Sequence, residues 1–470
     1  MQQSALKQHC DRMQAACLET PEVPWPIRAD RLQRLALLIQ GNSGDIAEAI
    51  SQDFGHRSRH ETDLFEIVPS LSAVRHALKH GRRWMKTTRR PTGLWFLPGS
   101  SFVMPQPLGV AGIIVPWNYP LYLAAGPLVA AIVAGNRVML KLSEWTPAFS
   151  ALMEQLVARH FAPDELTVIN GDAEVAAEFS TLPFDHLLFT GSTSIGRQVM
   201  RAAAANLTPV TLELGGKSPA IIAPGFSIER AAARILAGKC LNAGQTCIAP
   251  DYVLLPQGCE QEFIAAARTC IAKMYPDILS SPDYASIINS RHFDRIAELL
   301  GEAQAQGATA ENLSLRRESP DAGTRRHPPF VLTGVTDGMR VMQDEIFGPL
   351  LPIVPYPNID AAIAWVNARP KPLALYLFDD DSARIKQVLG QTRSGGVTVN
   401  DTILHVAQDD LPFGGVGPSG MGQYHGYEGF LTFSKLKPVF RQSRWNSMAL
   451  FNPPYGKFAS RMIEWLKRWA

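Results

Sequence analysis

Cys247 is the side chain whose surroundings point most directly to chemistry. It lies in the stretch NAGQTCIAP at residues 242–250, where glycine, glutamine and threonine precede the thiol. Upstream, Glu213 opens the stretch ELGGKSP at residues 213–219 and places a carboxylate beside a glycine pair. A nucleophile and a candidate base, each next to backbone that a substrate can approach closely, indicate covalent catalysis. A buried structural cysteine is more often flanked by aliphatic side chains.

Asn118 is a third candidate, in the string VPWNYP at residues 115–120. An amide held rigidly in a proline-bounded loop is a donor suited to an oxyanion. An asparagine that caps the following helix explains the same spacing. The residues alone leave both interpretations open.

The stretch FTGSTSIG at residues 189–196 is expected to end a strand and open a helix capped by Thr193 or Ser194. The exposed N–H groups and the dipole at such a helix start favour a pyrophosphate. The stretch holds only Gly191 and Gly196, so it lacks the three-glycine dinucleotide fingerprint. A capped strand-to-helix turn without a ligand is the alternative interpretation.

Two further stretches carry candidate cofactor contacts. Lys141 and Glu144 follow another expected strand, and each is suited to hydrogen-bond a ribose hydroxyl. A carboxylate near the 2′ position disfavours a 2′-phosphate through like-charge repulsion. The stretch QDEIFGP at residues 343–349 places acids before a Gly-Pro turn and is suited to a second ribose contact. A solvated loop and a simple turn are the alternatives.

The elements that must position these residues alternate from residue 108 onwards. Apolar runs predict strands and periodic segments predict helices at residues 109–116, 121–134, 137–142, 147–159, 166–169 and 185–190. A second alternating region runs from about residue 211 to residue 400. This alternation is typical of a parallel, doubly wound α/β sheet.

The flanking segments have a different pattern. Amphipathic helices are expected at residues 28–40 and 61–86 because apolar residues recur there at helical spacing. The Pro- and Gly-containing segment at residues 89–107 predicts an arm that leaves the main body. Residues 411–422 are dense in glycine but lack the lysine and the helix of a P-loop, which favours a tight structural connection.

Composition narrows the class of protein. The chain has 470 residues with a formal net charge of +2, which gives no field suited to nucleic acid. Its six cysteines form no CxxC pair and have no histidine at zinc spacing, so reduced thiols and no metal site are expected. The first residues lack the apolar region of a secretory signal. We therefore expect a cytoplasmic protein.

Several of these stretches, in this order, resemble the aldehyde dehydrogenase superfamily from about residue 28 to residue 435. They are PWN (116–118), ELGGKSP (213–219), GQTC (244–247) and EIFGP (345–349). Other stretches resemble the class 3 branch, namely CIAPDY (247–252), SGGVTVND (394–401), SGMG (419–422) and YHG (424–426). Residues 404–412, LHVAQDDLP, are most similar to those of bacterial coniferyl aldehyde dehydrogenases. One departure is Leu142, where many relatives have a proline.

The resemblance implies a role for each matching residue. Cys247 is the thiolate that attacks the aldehyde, and Asn118 and the Cys247 N–H stabilise the oxyanion. Glu213 activates the water that hydrolyses the thioester. The residues implied to bind the cofactor, NAD with NADP as the alternative, are Trp117, Lys141, Glu144, Gly191, Ser192, Gly196, Glu345 and Phe347. Tyr119 is the expected substrate contact and favours aromatic or long apolar aldehydes.

The resemblance also implies a domain organisation. A Rossmann-like NAD(P)-binding domain takes residues 1–88 and 108–211, and an α/β catalytic domain takes residues 212–403. A small bridging β element takes residues 89–107 and 404–440. This element is expected to pair with a second subunit, so we predict a homodimer.

Residues 441–470 form a separate tail with an amphipathic helix. The apolar stripe of this helix comprises Phe458, Met462, Trp465, Leu466 and Trp469, and basic residues lie beside it. The pattern fits a helix in a membrane interface. A helix docked on its own body or on the partner subunit is favoured, because one short helix anchors weakly.

Three functions remain open from the residues. The first is oxidation of aldehydes to carboxylic acids with NAD(P)+, with coniferyl-type aromatic aldehydes as the expected substrates and medium- or long-chain fatty aldehydes as the alternative. The second is a cofactor-independent thiol esterase, which is disfavoured because no histidine near the motifs is placed to orient the thiol. The third is a non-catalytic protein, which the intact set of reactive residues disfavours.

Overall fold

The computed structural model describes residues 4–446, 448 and 452–469. The helices are α1 (Ala5–Glu19), α2 (Trp25–Gly41), α3 (Ser43–Phe54), α4 (Arg59–Thr62), α5 (Val68–Trp84), α6 (Tyr122–Ala134), α7 (Pro147–His160), α8 (Ala173–Ser180), α9 (Thr193–Ala204), α10 (Ile228–Cys240), α11 (Glu260–Met274), α12 (Ser290–Ala305), α13 (Arg340–Gln343), α14 (Ile359–Asn367), α15 (Ser382–Gln391), α16 (Gly426–Thr432) and α17 (Lys457–Trp469). Short 3₁₀ turns lie at Leu94–Phe96, Leu241–Gly244 and Leu404–Ala407.

The strands of the described residues form three sheets. They are β1 (Thr88–Arg90), β2 (Ser100–Pro107), β3 (Val110–Ile114), β4 (Arg137–Lys141), β5 (Leu166–Ile169), β6 (His186–Gly191), β7 (Val210–Leu214), β8 (Pro219–Ile222), β9 (Tyr252–Pro256), β10 (Thr309–Asn312), β11 (Phe330–Thr333), β12 (Leu350–Tyr356), β13 (Ala374–Phe378), β14 (Gly396–Val399), β15 (Gly420–Met421) and β16 (Ser434–Arg441).

The first sheet has the order β15-β7-β6-β3-β4-β5, and its strands are parallel except for β15. Its central strands β3 and β4 are buried along their whole length, as expected for a parallel sheet covered on both faces. The register pairs Ile114 with Lys141 and with Phe189, and Thr190 with Glu213. The carboxyl ends of these strands therefore meet at one edge of the sheet.

The second sheet has the order β10-β11-β12-β9-β8-β13-β14, with β10 antiparallel to an otherwise parallel set. Cys247 precedes β9, Gly215 precedes β8, Glu345 precedes β12 and Leu373 precedes β13. These four residues line one cavity together with residues from the carboxyl edge of the first sheet. The cavity thus lies where the amino ends of one sheet face the carboxyl ends of the other.

The third sheet is small and antiparallel, with the order β1-β2-β16. Its outer strand β16 is exposed along most of its length, including the apolar side chains of Leu436 and Phe440. Strand β14 of the second sheet also lies at an edge, and its Gly-Val-Thr-Val side chains are only partly buried. Apolar side chains left open on two edge strands are a feature of surfaces that another chain covers.

Part of the segment expected in the bridging element lies elsewhere. Of residues 404–440, strand β15 joins the first sheet beside β7, and α16 packs on α5 and α6. Glycine allows β15 to approach β7 closely, since a Cβ on Gly420 would lie 2.5 Å from the carbonyl oxygen of Leu212. The glycine-dense connection therefore extends the first sheet, and only β16 from this segment belongs to the small sheet.

The long helix expected at residues 61–86 is interrupted. A π-helical turn at Asp63–Ile67 separates α4 from α5. Such turns insert one residue into a helix and change which side chain faces inward. Here the turn carries the fully buried side chain of Glu66.

Helix α17 rests on the protein body. Ala459 is buried, and the ring of Trp465 meets that of Trp95 edge-on at 5.6 Å between centroids. Phe458 remains 66% exposed. The side chain of Trp469 and residue 470, both part of the expected apolar helix, lie outside the described residues. Among the residues that are described, no helix is both long and apolar enough to cross a membrane.

Candidate active site

Two adjoining cavities occupy the junction of the sheets. The smaller, of about 230 Å³, is lined by Pro116, Trp117, Asn118, Leu123, Thr190, Gly191, Ser192, Glu213, Leu214, Gly215, Cys247, His292, Arg295, Glu345, Phe347, Leu373 and Phe413. The larger is a groove of about 1370 Å³ along the carboxyl edge of the first sheet. Trp117, Gly191 and His292 line both. The structure therefore brings Cys247, Glu213 and Asn118 to one cavity that opens onto the groove.

A left-handed turn sets the position of the Cys247 loop. After α10 ends, Asn242, Ala243 and Gly244 have φ values of 50°, 51° and 80°. Residues other than glycine rarely adopt this backbone conformation, so contacts with the surrounding residues must stabilise it. The backbone N–H of Asn242 donates to the buried carboxylate of Glu61, at 3.2 Å to Oε2.

Gln245 fixes the same loop from inside. Its amide nitrogen donates to the carbonyl oxygens of Asn242 and Ser286, each at 3.0 Å, and its amide oxygen accepts from Ile288 N–H at 2.9 Å. The side chain is fully buried and its hydrogen bonds are satisfied, as buried polar groups require. The glutamine of the motif is therefore a structural support for the neighbouring thiol.

The thiol and both nearby carboxyl groups favour their neutral forms in this cavity. Burial, with the charges of Glu345 and Glu213, raises the pKa of Cys247 to about 12. Burial raises the pKa of Glu213 well above its usual value, and both of its carboxylate oxygens lack a hydrogen-bond partner among the described residues. An unpartnered buried carboxyl group next to a thiol is available to exchange a proton with a bound molecule.

Asn118 does not cap the helix that follows it. Helix α6 begins at Tyr122, and the N–H groups of Leu121 and Tyr122 donate to Glu66 instead, at 2.7 and 3.2 Å. The Asn118 amide nitrogen donates to the carbonyl oxygen of Gln245 at 3.1 Å. This bond uses one of the two amide protons. The structure thus excludes the capping interpretation and ties Asn118 to the Cys247 loop.

The groove carries the polar groups expected at the sheet edge. Lys141 is buried, and its ammonium donates to the carbonyl oxygens of Leu142 and Gly171 at 2.6 and 2.8 Å. Glu144 is exposed at the groove wall. Helix α9 points its amino end into the groove. Its cap is Ser192, one residue earlier than expected, which accepts from Ile195 N–H at 3.4 Å.

Glu345 and the aromatic pair beside it complete the cavity wall. A Cβ on Gly215 would lie 2.0 Å from Oε2 of Glu345, so only glycine leaves room for this carboxyl group. Burial and the charge of Asp251 raise the pKa of Glu345 to about 8. Phe347, in a left-handed conformation with φ 49°, meets Trp117 edge-on at 5.4 Å.

The first wall residue that the motifs did not reveal is His292, on α12. Its Nδ1 lies 2.9 Å from the amide oxygen of Asn289, and its ring meets Trp117 at 5.1 Å. Burial lowers its pKa to about 4, so the ring is neutral at neutral pH.

Arg295, one helical turn further along α12, is the second residue of the cavity wall that the motifs did not reveal. Its guanidinium donates to the carbonyl oxygens of Glu345, at 3.2 Å, and of Ile346. The amphipathic pattern of residues 290–305 predicts this helix, but only the fold shows which of its residues reach the cavity.

A comparison with family models decides the class of protein. The model described as the aldehyde dehydrogenase family matches residues 1–439. The chain belongs to the aldehyde dehydrogenase family. The predicted family is thus confirmed, and this dehydrogenase is an NAD(P)-dependent oxidoreductase that acts on aldehydes.

Curated relatives and solved structures agree with this assignment. A probable coniferyl aldehyde dehydrogenase of Pseudomonas aeruginosa is 52% identical over 452 residues, covering 96% of this chain and 94% of the relative. A coniferyl aldehyde dehydrogenase of a Pseudomonas species is 48% identical over 450 residues, covering 95% and 93%. The substrate-bound structure of Staphylococcus aureus AldH superposes with a TM-score of 0.93 at 37% identity, covering 99% of this chain and 100% of that chain. The predicted α/β aldehyde dehydrogenase fold is confirmed.

The groove of this dehydrogenase fits a dinucleotide. Its volume exceeds that of ordinary small-ligand pockets. The hydroxyl of Thr190 is buried at the groove wall without a partner among the described residues. The amino end of α9 supplies N–H groups for a pyrophosphate. Lys141, Glu144 and Ser192 also line the groove, with an ammonium, a carboxylate and a hydroxyl.

Two expected site residues of the dehydrogenase lie away from these cavities. Tyr119 is buried, with its hydroxyl 2.8 Å from Oγ1 of Thr246 and its ring 4.7 Å beneath the guanidinium of Arg57. Gly196 packs in α9, where a Cβ would lie 2.6 Å from Leu214. Tyr119 thus supports the Cys247 loop where a substrate contact was expected. Gly196 allows α9 to approach β7 where a cofactor contact was expected.

Proposed function

We propose that Cys247, Glu213 and Asn118 are the catalytic residues and that aromatic aldehydes of the coniferyl type are the substrates. The carrying observation is that these three side chains line one small cavity that opens onto the dinucleotide-sized groove. A nucleophile, a base and an oxyanion donor beside a cofactor site form the set that oxidation through a covalent adduct requires. Trp117, Lys141, Glu144, Gly191, Ser192, Glu345 and Phe347 are the proposed cofactor contacts.

The reaction begins at sulfur. The Cys247 thiol releases its proton to solvent water, and its sulfur forms a bond to the aldehyde carbon while the carbonyl electron pair moves onto oxygen. Asn118 and the Cys247 N–H then donate to that oxygen. When bound, NAD(P)+ supplies the acceptor for the hydride that leaves this carbon, which remains on Cys247 as a thioester.

Glu213 acts in the second half of the reaction. Once its carboxyl group has released its proton to solvent, the Glu213 carboxylate removes a proton from a water molecule whose oxygen bonds to the thioester carbon. The carbon–sulfur bond then breaks, releasing the carboxylic acid and restoring Cys247. Because no described side chain occupies either oxygen of Glu213, both are open to a water in the cavity.

The substrate proposal has two supports. The relatives described above carry the name coniferyl aldehyde dehydrogenase. Leu123, Leu373 and Phe413 give the cavity an apolar wall that suits an aromatic ring. The same wall suits the chain of a fatty aldehyde, which is the second candidate. NAD is the proposed cofactor, because the exposed carboxylate of Glu144 at the groove repels a 2′-phosphate.

The deciding experiment is a screen of NAD(P)H formation. Coniferyl-type, benzaldehyde and long aliphatic aldehydes are each combined with NAD and with NADP. We expect the highest kcat/KM with a coniferyl-type aldehyde and NAD, and no NAD(P)H from Cys247→Ala. Cys259→Ala, at a half-buried cysteine outside both cavities, is the matched control and retains activity. Ester hydrolysis without any aldehyde-dependent NAD(P)H would support the thiol esterase instead.

We also propose that two chains form a homodimer through the small sheet, with β16 of each protomer covering edge β14 of its partner. The open apolar side chains on both edges support this pairing.

The division at residues 88, 107, 211 and 403 into cofactor, bridging and catalytic parts is kept as the proposed domain organisation, with β15 assigned to the cofactor sheet. The contact between Trp465 and Trp95 supports docking of α17 on the body, as the favoured interpretation of the tail.

A further inference from the structure

A buried ion pair lies behind the wall of the cavity. The side chains of Arg57 and Glu66 are both fully buried, and Nη1 of Arg57 lies 2.6 Å from Oε1 of Glu66. Burial of two charges is costly, and an apolar pair of similar volume often gives equal or higher stability. Stability alone therefore does not explain why charges occupy this place.

The remaining bonds of the pair go to one loop. Arg57 Nη1 also donates to the carbonyl oxygen of Asn118 at 3.1 Å. The second oxygen of Glu66 accepts from the N–H groups of Leu121 and Tyr122. The guanidinium plane covers the ring of Tyr119. The pair thus holds residues 118–122 at both ends.

That loop is in turn attached to the Cys247 loop at three points. The Asn118 amide donates to Gln245 O at 3.1 Å, and the Asn118 carbonyl oxygen accepts from the side chain of Asn242 at 3.0 Å. The hydroxyl of Tyr119 lies 2.8 Å from the hydroxyl of Thr246, the residue before Cys247. The position of residues 118–122 therefore helps to set where the Asn118 amide lies relative to the Cys247 loop.

We infer that Arg57 and Glu66 are positioning residues that fix the Asn118 amide relative to Cys247. The inference rests on the proposed role of Asn118 as oxyanion donor. The carbonyl oxygen of Asn118 needs a donor, which is the guanidinium of Arg57. The N–H groups of Leu121 and Tyr122 need an acceptor, which is the carboxylate of Glu66. The ion pair fixes this donor and this acceptor relative to each other. An apolar pair fills the same volume without holding the main chain.

The test is a thermodynamic cycle with Asn118. The double variant Arg57→Met/Glu66→Leu removes both charges, so we expect it to fold, as judged by circular dichroism and thermal unfolding. Its kcat falls about ten- to hundred-fold because the donor is displaced, while the Kd for NAD stays within about two-fold. In an Asn118→Ala background the same double change costs no further activity, because the group being positioned is absent.

Controls separate this role from general support of the fold. The pair Arg31 and Glu165, 3.0 Å apart at the amino end of β5, lines neither the cavity nor the groove. Arg31→Met/Glu165→Leu alters thermal stability but leaves kcat unchanged. If Arg57→Met/Glu66→Leu does not fold, Glu66→Gln is used in its place. Its amide oxygen remains an acceptor for both N–H groups, but its NH2 group faces the Arg57 guanidinium, so the hydrogen bond and the ion pair are lost. The same loss of effect in the Asn118→Ala background is expected.

Two results overturn the inference. One is a folded Arg57→Met/Glu66→Leu variant with wild-type kcat. The other is a double change that lowers kcat by the same factor in the Asn118→Ala background as in the wild type. Both leave the proposed function intact, because wild-type turnover is measured in the same series. A wild-type chain that forms no NAD(P)H with any aldehyde contradicts the proposed function itself.

Discussion

Glu213 places a carboxyl group in a buried cavity where its two oxygens have no partner among the described residues. Such a group is destabilising in the folded protein unless it serves a bound molecule. Cys247 lines the same cavity, so a water molecule bound to Glu213 is placed to attack the proposed thioester on Cys247.

The variant Glu213→Gln is expected to stop the reaction after the first half. A glutamine of the same shape cannot remove a proton from water, so the thioester accumulates. Stopped-flow measurement should show a burst of about one NAD(P)H per active site, followed by steady turnover reduced roughly 10²- to 10⁴-fold. Cys247→Ala, as control, should give neither phase. Full steady turnover in Glu213→Gln would contradict the role of Glu213.

Glu345 makes the stability of the protein depend on pH. Its folded pKa of about 8 exceeds the ordinary value of 4.5. The folded state therefore binds more protons than the unfolded state between these values, and the free energy of unfolding falls as pH rises from about 5 to 8. Glu345→Gln should flatten this decline in thermal unfolding experiments and be more stable than wild type at pH 8 and above. Glu262→Gln, at an exposed position on α11, should retain the wild-type slope.

Individual site residues can be predicted from the sequence when the residues next to them in the chain form a recognisable motif. Cys247, Glu213 and Asn118 were predicted from local strings, and the fold places all three on one cavity. His292 lies in an ordinary amphipathic helix, and its presence at the cavity depends on how α12 packs. Tyr119 follows Asn118 directly but points elsewhere, because neighbouring side chains in an irregular loop do not share a direction.

Among the elements, the turn at residues 242–244 has a strict steric requirement. Gly244 has φ 80°, and a Cβ on it would lie 2.4 Å from the carbonyl oxygen of Gly348. That carbonyl belongs to the segment after Glu345, so the turn and the Glu345 loop touch through backbone alone. A side chain at Gly244 must therefore displace one of the two loops that form the cavity.

Gly244→Ala should lower the thermal midpoint and reduce kcat together. Gly258→Ala is the matched control, since Gly258 has a similar φ of 89° with no atom within 4 Å of an added Cβ. Both changes impose the strain of a left-handed alanine, of about 1 kcal/mol. Only Gly244→Ala adds the collision with Gly348 and should affect turnover. Equal effects of the two variants on kcat would show that the contact is unimportant.

Elements with a strong local pattern could be predicted from the sequence. The apolar runs around residues 109–116 and 137–142 became β3 and β4, and residues 121–134 became α6 with only the first residue outside it. The π-helical turn at Asp63–Ile67 and the two-residue strand β15 could not be predicted. Both exist because of tertiary contacts, one through the ion pair of Glu66 and the other through close approach to β7.

For the whole molecule, the exposed edges of two sheets carry the dimer prediction. Leu436 and Phe440 are 40% and 46% exposed on the same face of β16. Leu436→Asp/Phe440→Asp should convert a dimer of about twice 51.5 kDa into a monomer in light scattering after size-exclusion chromatography. Leu37→Asp, at a 63% exposed position on α2, should leave the mass unchanged. A wild-type monomer would refute the proposed assembly.

The tail offers a second test at this scale. Because α17 packs Ala459 and Trp465 on the body, we expect full-length protein and a chain ending at Tyr455 to sediment equally little with anionic phosphatidylserine vesicles. Stronger sedimentation of the full-length protein alone would instead support an interfacial membrane helix.

Strand β15 has a consequence for how the protein is made. Residues 420 and 421 pair with Leu212 and Glu213, so the outer side of the strand that carries Glu213 stays unpaired until some 200 further residues have been translated. At roughly 5–20 residues per second that interval is about 10–40 s. A nascent chain therefore exposes the outer edge of this strand on the ribosome for nearly half of its synthesis, and the proposed catalytic base gains its neighbouring strand only after that interval.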